Sequence, residues 1–279
     1  MDVRAHLTGL TGVAVDQLER VGESHAWTLY RGELRGRSVF VKAADGAGVF
    51  EAEAAGLRWL AQADAGLVPE VVAVDDRMLV LPWLTTEPAS TVAAERFGRA
   101  LAGLHADSPG VYGAPWVGNI AALPLDNSLS AGEWGSWYAE RRIAPYLSAA
   151  APHLGRDGVV LIERVMDRID ELAGPAEPPA RIHGDLWSGN VLWTGGRAVL
   201  VDPAAHGGHR ETDLAMLALF GVPRLDRILA AYQEARPLAS GWRQRIPLHQ
   251  VHPLLVHVVL FGGSYAGMAK AAAAAALAI

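Results

Sequence analysis

The fold is decided by a stretch in the second half of the chain, residues 183–203, which reads HGDLWSGNVLWTGGRAVLVDP. Within it, the apolar runs VLW and AVLV flank the turn sequence TGGR, and this pattern predicts a β-hairpin. Asp185 and Asn190 precede the hairpin, and Asp202 follows it. A hairpin bordered by carboxylate and amide side chains, inside a region that otherwise reads as helical, indicates a site of chemistry.

The spacing of these three side chains is typical of phosphoryl-transfer enzymes. Asp-x-x-x-x-Asn is the pattern of the protein-kinase catalytic loop, in which the Asp accepts the proton of the substrate hydroxyl and the Asn holds magnesium. Asp202 follows Asp185 by 17 residues and ends the second predicted strand, where kinases carry another metal-binding Asp. Because Mg²⁺ prefers hard oxygen ligands, the sequence predicts Asp185 as the catalytic base and Asn190 and Asp202 as magnesium ligands.

The first half of the chain contains a candidate partner for the phosphates of ATP. Lys42 ends the strand-like run VFV, in the manner of the β3 lysine of kinases. Glu51 and Glu53 open the following segment, residues 51–62, whose apolar residues recur at helical spacing. Lys42 is therefore predicted to contact the α- and β-phosphates, with one of the two glutamates holding it in place.

The distribution of predicted elements divides the chain into two lobes. The first part reads as strands with one main helix, including a hairpin around the turn Asp75-Asp76. The stretch TTEPAS at 85–90 breaks this pattern. Helices dominate after it and are predicted at 92–106, 134–147 and 159–172. We therefore predict an α+β fold, with an antiparallel-sheet lobe over residues 1–84 and a larger, mainly helical lobe over residues 85–279.

Composition excludes several functional classes. The 279 residues carry a formal charge of -6, which argues against a nucleic acid or an anionic membrane as partner. There is no cysteine, so disulfides and thiolate-bound metals are excluded. The first ten residues lack the apolar run of a signal peptide, and the apolar tail at 252–279 is interrupted by His257 and Lys270. A cytoplasmic protein with a packed C-terminal helix is expected.

Five histidines in the second half could suggest a zinc site. His206 and His209 are three residues apart, and His249, His252 and His257 lie near the tail. Zinc sites usually combine histidines with cysteines or carboxylates, and no such set is evident from the spacing. We expect no zinc here.

Longer runs of the sequence resemble the fructosamine-3-kinase (ketosamine-3-kinase) family, which belongs to the aminoglycoside-phosphotransferase and choline-kinase group with a protein-kinase-like fold. The resemblance covers about residues 20–268. It is carried by HGDLWSGNVL at 183–192, DPA at 202–204 and GHRETDLAM at 208–216, and further by FVK at 40–42, YAERR at 138–142 and FGGSY at 261–265. It implies a bilobal fold that binds ATP between the lobes, with Glu53 as the helix glutamate that pairs with Lys42.

The resemblance also implies an activity. Members of this family use ATP to phosphorylate the 3-hydroxyl of a ketosamine, a sugar joined to an amine by glycation. The resulting 3-phosphate is unstable, so the reaction serves deglycation. The implied partner is therefore a ketosamine, either a small molecule or a protein-bound group, and the implied cofactors are ATP and Mg²⁺. We expect a monomer.

Further site residues follow from the resemblance. The loop VGESHAW at 21–27 is expected to cover the phosphates, with Ser24 adding its hydroxyl, although it has one glycine where the family tends to have several. In the hinge LPWL, Pro82 offers a carbonyl to the adenine amino group and Leu84 offers its N–H to a ring nitrogen. The loop at 113–127 is expected to border the acceptor, with Leu125 in place of the family's glutamine.

Four residues near the motif are given supporting roles, three of them toward the substrate and one in holding the catalytic loop. Trp187, inside the catalytic loop, is expected near the substrate, and His209 and Arg210 are expected to order the segment after the metal site and to reach the substrate. Asp213 is expected to hydrogen-bond backbone N–H groups of the catalytic loop.

Two alternatives stay open at this point. Another small-molecule kinase of the same fold would take an aminoglycoside or a choline-like acceptor, and its site should be rich in carboxylates. A non-catalytic nucleotide-binding regulator is favoured by the single glycine of the 21–27 loop. The presence of Lys42, Asp185, Asn190 and Asp202 together opposes it.

Overall fold

The N-terminal lobe is built on one antiparallel sheet. The computed structural model describes residues 1–24, 27–45 and 50–278, so His25 and Ala26 of the predicted phosphate loop lie outside the described residues. The elements of this lobe are α1 (Val3–Thr11), β1 (Val15–Ser24), β2 (Trp27–Leu34), β3 (Arg37–Ala43), α2 (Phe50–Ala61), β4 (Ala73–Val74) and β5 (Met78–Pro82). The sheet has the order β1-β2-β3-β5-β4. The predicted hairpin around Asp75-Asp76 is confirmed as the β4–β5 pair.

The alternation of side chains along β3 explains why Lys42 faces α2. Successive residues of a strand point to opposite faces of the sheet. Val39 and Val41 pack with Leu7 of α1 on one face, while Phe40 joins the apolar cluster of α2 on the other. Lys42 shares the α2 face with Phe40, and this places its amine next to the first turns of that helix.

Helix α1 was not predicted from the sequence. Its N-terminus is capped by Asp2, whose carboxylate accepts the N–H of Ala5 at 3.1 Å, and its C-terminus ends at Gly12 in the left-handed conformation. Val3, Leu7 and Leu10 recur at i, i+4 and i+7 and pack on the sheet, so the apolar periodicity of a helix was present in this short segment but was not used.

The C-terminal lobe is mainly helical, with three short two-stranded sheets. Its helices are α3 (Thr91–Ala106), α4 (Trp134–Tyr138), α5 (Ala144–Asp167), α6 (Ile169–Leu172), α7 (Arg210–Phe220), α8 (Leu225–Ala235), α9 (Trp242–Phe261) and α10 (Ala266–Ala276). Its strands are β6 (Gly118–Ile120), β7 (Leu123–Leu125), β8 (Ala180–Ile182), β9 (Val191–Thr194), β10 (Arg197–Leu200) and β11 (His206–Gly208). The sheets pair β6 with β7, β8 with β11, and β9 with β10. The β9–β10 pair confirms the hairpin predicted from the runs VLW and AVLV.

The predicted boundaries of the middle helices were wrong. Helical structure does not stop at Leu147 but continues from α4 through a π-helical turn at Ala139–Ile143 into α5, which ends at Asp167. The chain bends at Gly155, whose φ of 70° is not helical. The alanine-rich stretch before this glycine has high helix propensity, which is why the helix extends through it.

The apolar tail forms packed helices, as predicted. By length and composition alone, the stretch Trp242–Ala276 could cross a membrane. In the structure, α9 and α10 are separated by a 3₁₀ turn and pack against α5, and α9 also packs against α7. Leu248, Val251 and Leu254 of α9 are fully buried in the core of the lobe.

The two lobes are joined by the segment between β5 and α3. The N-terminus of α3 is capped by Ser90, whose hydroxyl accepts the N–H of Ala93 at 3.1 Å. One apolar cluster runs across the junction, from Phe50 and Leu57 of α2 to Phe97 of α3 and Trp193 of β9. We propose that the boundary between the lobes follows Leu84.

Candidate active site

The catalytic loop leaves β8 through a glycine at which any side chain would clash with the backbone. Gly184 has a φ of +81°, and a Cβ at this position would lie 2.2 Å from the carbonyl oxygen of Ala204. The loop therefore passes directly against the segment that follows β10. His183 also binds the segment that follows β10, because its Nε2 donates to the carbonyl of Val201 at 3.0 Å.

The loop is also held by a buried carboxylate at the start of α7. Asp213 accepts the backbone N–H of His183 at 2.8 Å and that of Gly184 at 2.9 Å. Its third contact is His105 Nε2 at 3.1 Å, and His105 Nδ1 in turn lies 2.9 Å from the hydroxyl of Tyr232. Burial opposes the charge of Asp213, but the hydrogen bond from His105 and the proximity of His105 and His183 lower the pKa of Asp213. The predicted contact of Asp213 with the loop backbone is confirmed.

Asp185 and Asn190 lie side by side in the cleft between the lobes. The Asn190 amide donates to the Asp185 carboxylate at 3.0 Å and to its backbone carbonyl at 2.8 Å. This leaves the amide oxygen of Asn190 for another partner. Burial, and secondarily the charge of Asp202, raises the pKa of Asp185 to about 7.

Lys42 connects the lobes through two carboxylates. Its Nζ lies 2.9 Å from both oxygens of Glu53, and it also forms a short hydrogen bond with Asp202. Lys42 and Glu53 are almost fully buried, whereas the Asp202 side chain is 43% exposed to the cleft. Burial opposes the charge of Lys42, but the two carboxylates outweigh it and raise its pKa.

These groups line a cleft of about 390 Å³. Lys42, Glu53, Asp185, Asn190 and Asp202 all contribute to its wall, and so do Ser24 and Trp187. The Trp187 ring lies across Gly189, where a Cβ would be 2.3 Å from the ring, so the glycine of the motif makes room for the tryptophan. An adjoining cavity of about 430 Å³ shares Ser24, Lys42 and Asp202 and is lined by Pro82 and Leu84. The structure therefore brings together nine of the predicted site residues.

The structure does not place His209 and Arg210 at the cleft. His209 caps the N-terminus of α7, where its Nδ1 accepts the N–H of Glu211 at 3.2 Å and its ring lies 4.9 Å from that of Trp134. Arg210 is paired with Glu177, at 2.5 and 2.7 Å. The prediction that these two side chains reach the substrate does not agree with this placement. They turn away because the first turn of α7 packs into the lobe.

The prediction that no carboxylate joins the histidines was also wrong. Glu211 meets His209 and His249, and their candidate ligand atoms all lie within 4.8 Å of one another. However, both oxygens of Glu211 already bind Arg245, at 2.9 and 2.5 Å. A carboxylate occupied by a guanidinium in this way forms a buried ion pair rather than a vacant ligand.

One side of the cleft contains part of the 113–127 loop, which was expected to border the acceptor, together with aromatic residues that were not predicted there. Its wall is formed by the β6–β7 hairpin on one side and by aromatic residues of α7, α9 and the following turn on the other: Phe220, His257, Phe261 and Tyr265. The ring of Phe220 lies 4.8 Å from His257 and 6.3 Å from Trp187. The run FGGSY at 261–265 was the available signal, but its position in the fold could not be derived from its spacing.

The Fructosamine kinase family profile matches residues 2–278 of the chain. The sequence is 33% identical over 257 residues to the "Probable ketoamine kinase" of Klebsiella aerogenes, covering 88% of this chain and 86% of that protein. It is 38% identical over 224 residues to a "Probable ketoamine kinase" of Thermus thermophilus, covering 79% of each chain.

Solved structures agree with the sequence comparison. The crystal structure of a fructosamine-3-kinase homologue from Thermobifida fusca is 52% identical and superposes with a TM-score of 0.96, covering 100% of this chain and 99% of the other. A ternary complex of the aminoglycoside phosphotransferase APH(4)-Ia has a TM-score of 0.72 at 14% identity, covering 100% of this chain and 98% of that one. The second likeness supports the bilobal α+β fold alone. With a family profile along nearly its whole length, the chain belongs to the fructosamine kinase family, a family of ATP-dependent kinases.

Proposed function

We propose that the protein transfers the γ-phosphoryl group of ATP to the 3-hydroxyl of a ketosamine in a magnesium-dependent reaction. The observation that carries the proposal is the convergence of Lys42, Asp185, Asn190 and Asp202 on one cleft in a chain of this family. These are the groups that kinase-type phosphoryl transfer requires.

The nucleotide is held on the N-terminal side of the cleft. Lys42, kept charged and fixed by Glu53, contacts the α- and β-phosphates, and Ser24 adds a hydroxyl. The adenine lies in the adjoining cavity between Pro82 and Leu84. The Trp83 N–H is already bonded to Ser38, whereas the Leu84 N–H has no partner among the described residues and serves as the donor to the adenine ring.

The donor set of the cleft suits magnesium. Asp202 supplies a half-exposed carboxylate, and its left-handed φ of 55° turns the backbone at the end of the hairpin. Asn190 uses its amide nitrogen on Asp185, so its oxygen is available as a second hard ligand. When bound, the metal neutralises phosphate charge during transfer.

Asp185 acts on the acceptor. It accepts the proton of the hydroxyl while the hydroxyl oxygen forms a bond to the γ-phosphorus. The bond between that phosphorus and the bridging oxygen of ADP breaks, and ADP leaves with the electron pair. The amide of Asn190 and the buried loop backbone fix the carboxylate at the position from which it works.

The acceptor wall favours a ketosamine over a polycation. The carboxylates on the cleft are Glu53, Asp185 and Asp202, and no other described residue adds one. All three are committed to the lysine, the metal or the reacting hydroxyl. An aminoglycoside carries several ammonium groups and needs further carboxylates, whereas a sugar ring packs well against the faces of Trp187 and its aromatic neighbours.

The test is a mass-spectrometric assay of acceptors incubated with the protein and Mg-ATP. We expect phosphorylation of one or more of ribulose-, erythrulose- and fructose-lysine, and none of an aminoglycoside or choline. Asp185→Asn should bind ATP but lower turnover at least a hundredfold, the range for loss of a positioned general base. If only aminoglycosides gave a phosphorylated product, the protein would be an aminoglycoside kinase of the same fold and not a ketosamine kinase. No product from any acceptor, with ATP bound, would favour the regulator.

We further propose that the protein acts as a cytoplasmic monomer, because one chain completes the cleft and ATP is its phosphate donor. Size-exclusion chromatography with light scattering tests the monomer. Because ketosamine 3-phosphates are unstable, the chemical consequence of the reaction is removal of the sugar from the amine, and release of the free amine after phosphorylation tests this role.

A further inference from the structure

The β6–β7 hairpin of the C-terminal lobe forms one wall of the acceptor side. Asn119, Ile120 and Ala121 line the same cleft as Asp185. The hairpin also lies against α2, the helix that carries Glu53. An acceptor that presents one hydroxyl to Asp185 therefore lies beside this hairpin.

Asn119 is the one residue of the hairpin with a polar side chain on this wall. It is half-buried, between buried Gly118 and Ile120 on the strand. Its carboxamide forms no hydrogen bond with any residue in the described part of the chain, although it offers two donors and an acceptor. A ligand that displaces water from this amide must replace its hydrogen bonds or lose affinity.

The hairpin is fixed from behind, so the position of Asn119 is set before any ligand arrives. Fully buried Arg142 donates to the carbonyl of Asp126 at 2.6 Å and to the side chain of Asn127 at 2.9 Å, and Tyr146 donates to the carbonyl of Pro124 at 2.6 Å. A Cβ at Gly118 would lie 2.4 Å from the Asn127 amide, so the strand packs directly on this anchor. A preorganised polar group loses little entropy on binding.

The rest of the acceptor wall is aromatic or apolar, so charge does not select the ligand there. An uncharged amide with free donors and an acceptor matches a hydroxyl, which can donate and accept. We propose that Asn119 is a specificity-determining residue that hydrogen-bonds a second hydroxyl of the acceptor sugar, beyond the one that Asp185 deprotonates. This assignment rests on the proposed ketosamine activity.

The test compares Asn119→Leu and wild type on a ketosamine that the wild type phosphorylates and on analogues lacking one hydroxyl other than the reacting one. For the full substrate, we expect Asn119→Leu to lower kcat/KM about three- to tenfold, the effect of one neutral hydrogen bond. The loss should appear mainly in the acceptor KM, with the KM for ATP unchanged. For one deoxy analogue, wild type and variant should be equal, since its missing hydroxyl is the partner of the amide.

Ala122→Leu is the matched control, because Ala122 is the exposed neighbour on the same turn and does not line the cleft. It should retain the wild-type kcat/KM and the wild-type preference for the full substrate. If Asn119→Leu lowered kcat/KM by the same factor for every deoxy analogue as for the full substrate, the role of Asn119 would be structural and the proposal would be overturned. An unchanged variant would also overturn it. If the wild type phosphorylates no ketosamine, the proposed function itself fails.

Discussion

The sharpest test of how the fold supports the site is the substitution Asp213→Asn. The side chain keeps its shape, but one acceptor oxygen becomes an NH₂ group that faces N–H donors. In the structure, one carboxylate oxygen accepts from His183 and His105, and the other accepts from Gly184. At least one backbone N–H of the catalytic loop must therefore lose its partner in the variant.

The size of the effect follows from these three contacts. Asp213 is fully buried, so water cannot replace a lost acceptor. A hydrogen bond to a charged acceptor contributes about 1.5–3 kcal/mol, and a bond to a neutral one about half of that. One bond is lost and two are weakened, while the variant avoids the desolvation of a buried charge. We expect the free energy of unfolding to fall by about 2–4 kcal/mol.

Urea denaturation at pH 7 measures the stability change, and Asp226→Asn is the control. Asp226 is exposed at the start of α8, so its substitution should change stability by about 0.5 kcal/mol or less. The Asp213 variant should also lose kcat about tenfold or more through displacement of the loop, with little change in ATP affinity. A stability within 0.5 kcal/mol of the wild type would refute the assignment of Asp213 as the anchor of the loop.

Three further changes have defined outcomes. Lys42→Met leaves the buried carboxylate of Glu53 without its counter-charge and should destabilise the fold by about 3 kcal/mol and weaken ATP binding, as measured by urea unfolding and calorimetry. Burial opposes the charge of Glu211, but the neighbouring His249 ring, 3.4 Å away, and the hydrogen bonds from Arg245 lower the pKa of Glu211 to about 2. Since the folded pKa lies below the unfolded value of 4.5, the stabilisation is present above pH 4.5 and is lost toward pH 2. Glu211→Gln should therefore be about 3 kcal/mol less stable than the wild type at pH 7. In acid denaturation, this difference in the free energy of unfolding should become smaller below pH 4.5. Ala121→Gly should raise the melting temperature and stabilise the fold by about 0.5–1 kcal/mol, because Ala121 has a φ of 49° that favours glycine; an unchanged stability would argue against strain at this turn.

The catalytic groups could be predicted from sequence because local geometry fixes them. Asp185 and Asn190 are five residues apart in one loop, and the hairpin that follows returns the chain so that Asp202 lies next to them. Turn residues and strand alternation bring these three groups near one another along the chain, and Asp213 then anchors the loop from outside the motif. To predict the contact of Lys42 with Glu53, it was also necessary to place α2 on the face of the sheet to which the Lys42 side chain points.

The residues around that centre could not be predicted in the same way. His209 and Arg210 lie close to the motif in sequence, but the first turn of α7 directs them into the lobe. There His209 packs against Trp134, and Arg210 forms an ion pair with Glu177. His257, by contrast, follows Asp185 by 72 residues and lies on the same cleft. Sequence proximity indicates neither position, because tertiary packing decides which face of a helix meets the cleft.

The catalytic groups and the surrounding cleft wall lie on different elements of the fold, and this affects how acceptor specificity can change. In the proposed mechanism, the nucleotide and the reacting hydroxyl are held by β3, α2 and the β9–β10 hairpin with its preceding loop. The proposed acceptor site is formed by other elements that line the cleft: the β6–β7 hairpin, the end of α7 and the end of α9. The aminoglycoside phosphotransferase shares this fold at 14% identity, so the architecture tolerates extensive substitution. No hydrogen bond among the described residues joins Asn119 to Lys42, Glu53 or the loop anchor Asp213, so we expect its substitution to act on acceptor binding rather than on these groups. Acceptor choice in this protein is therefore expected to change through these three elements while the catalytic groups stay in place.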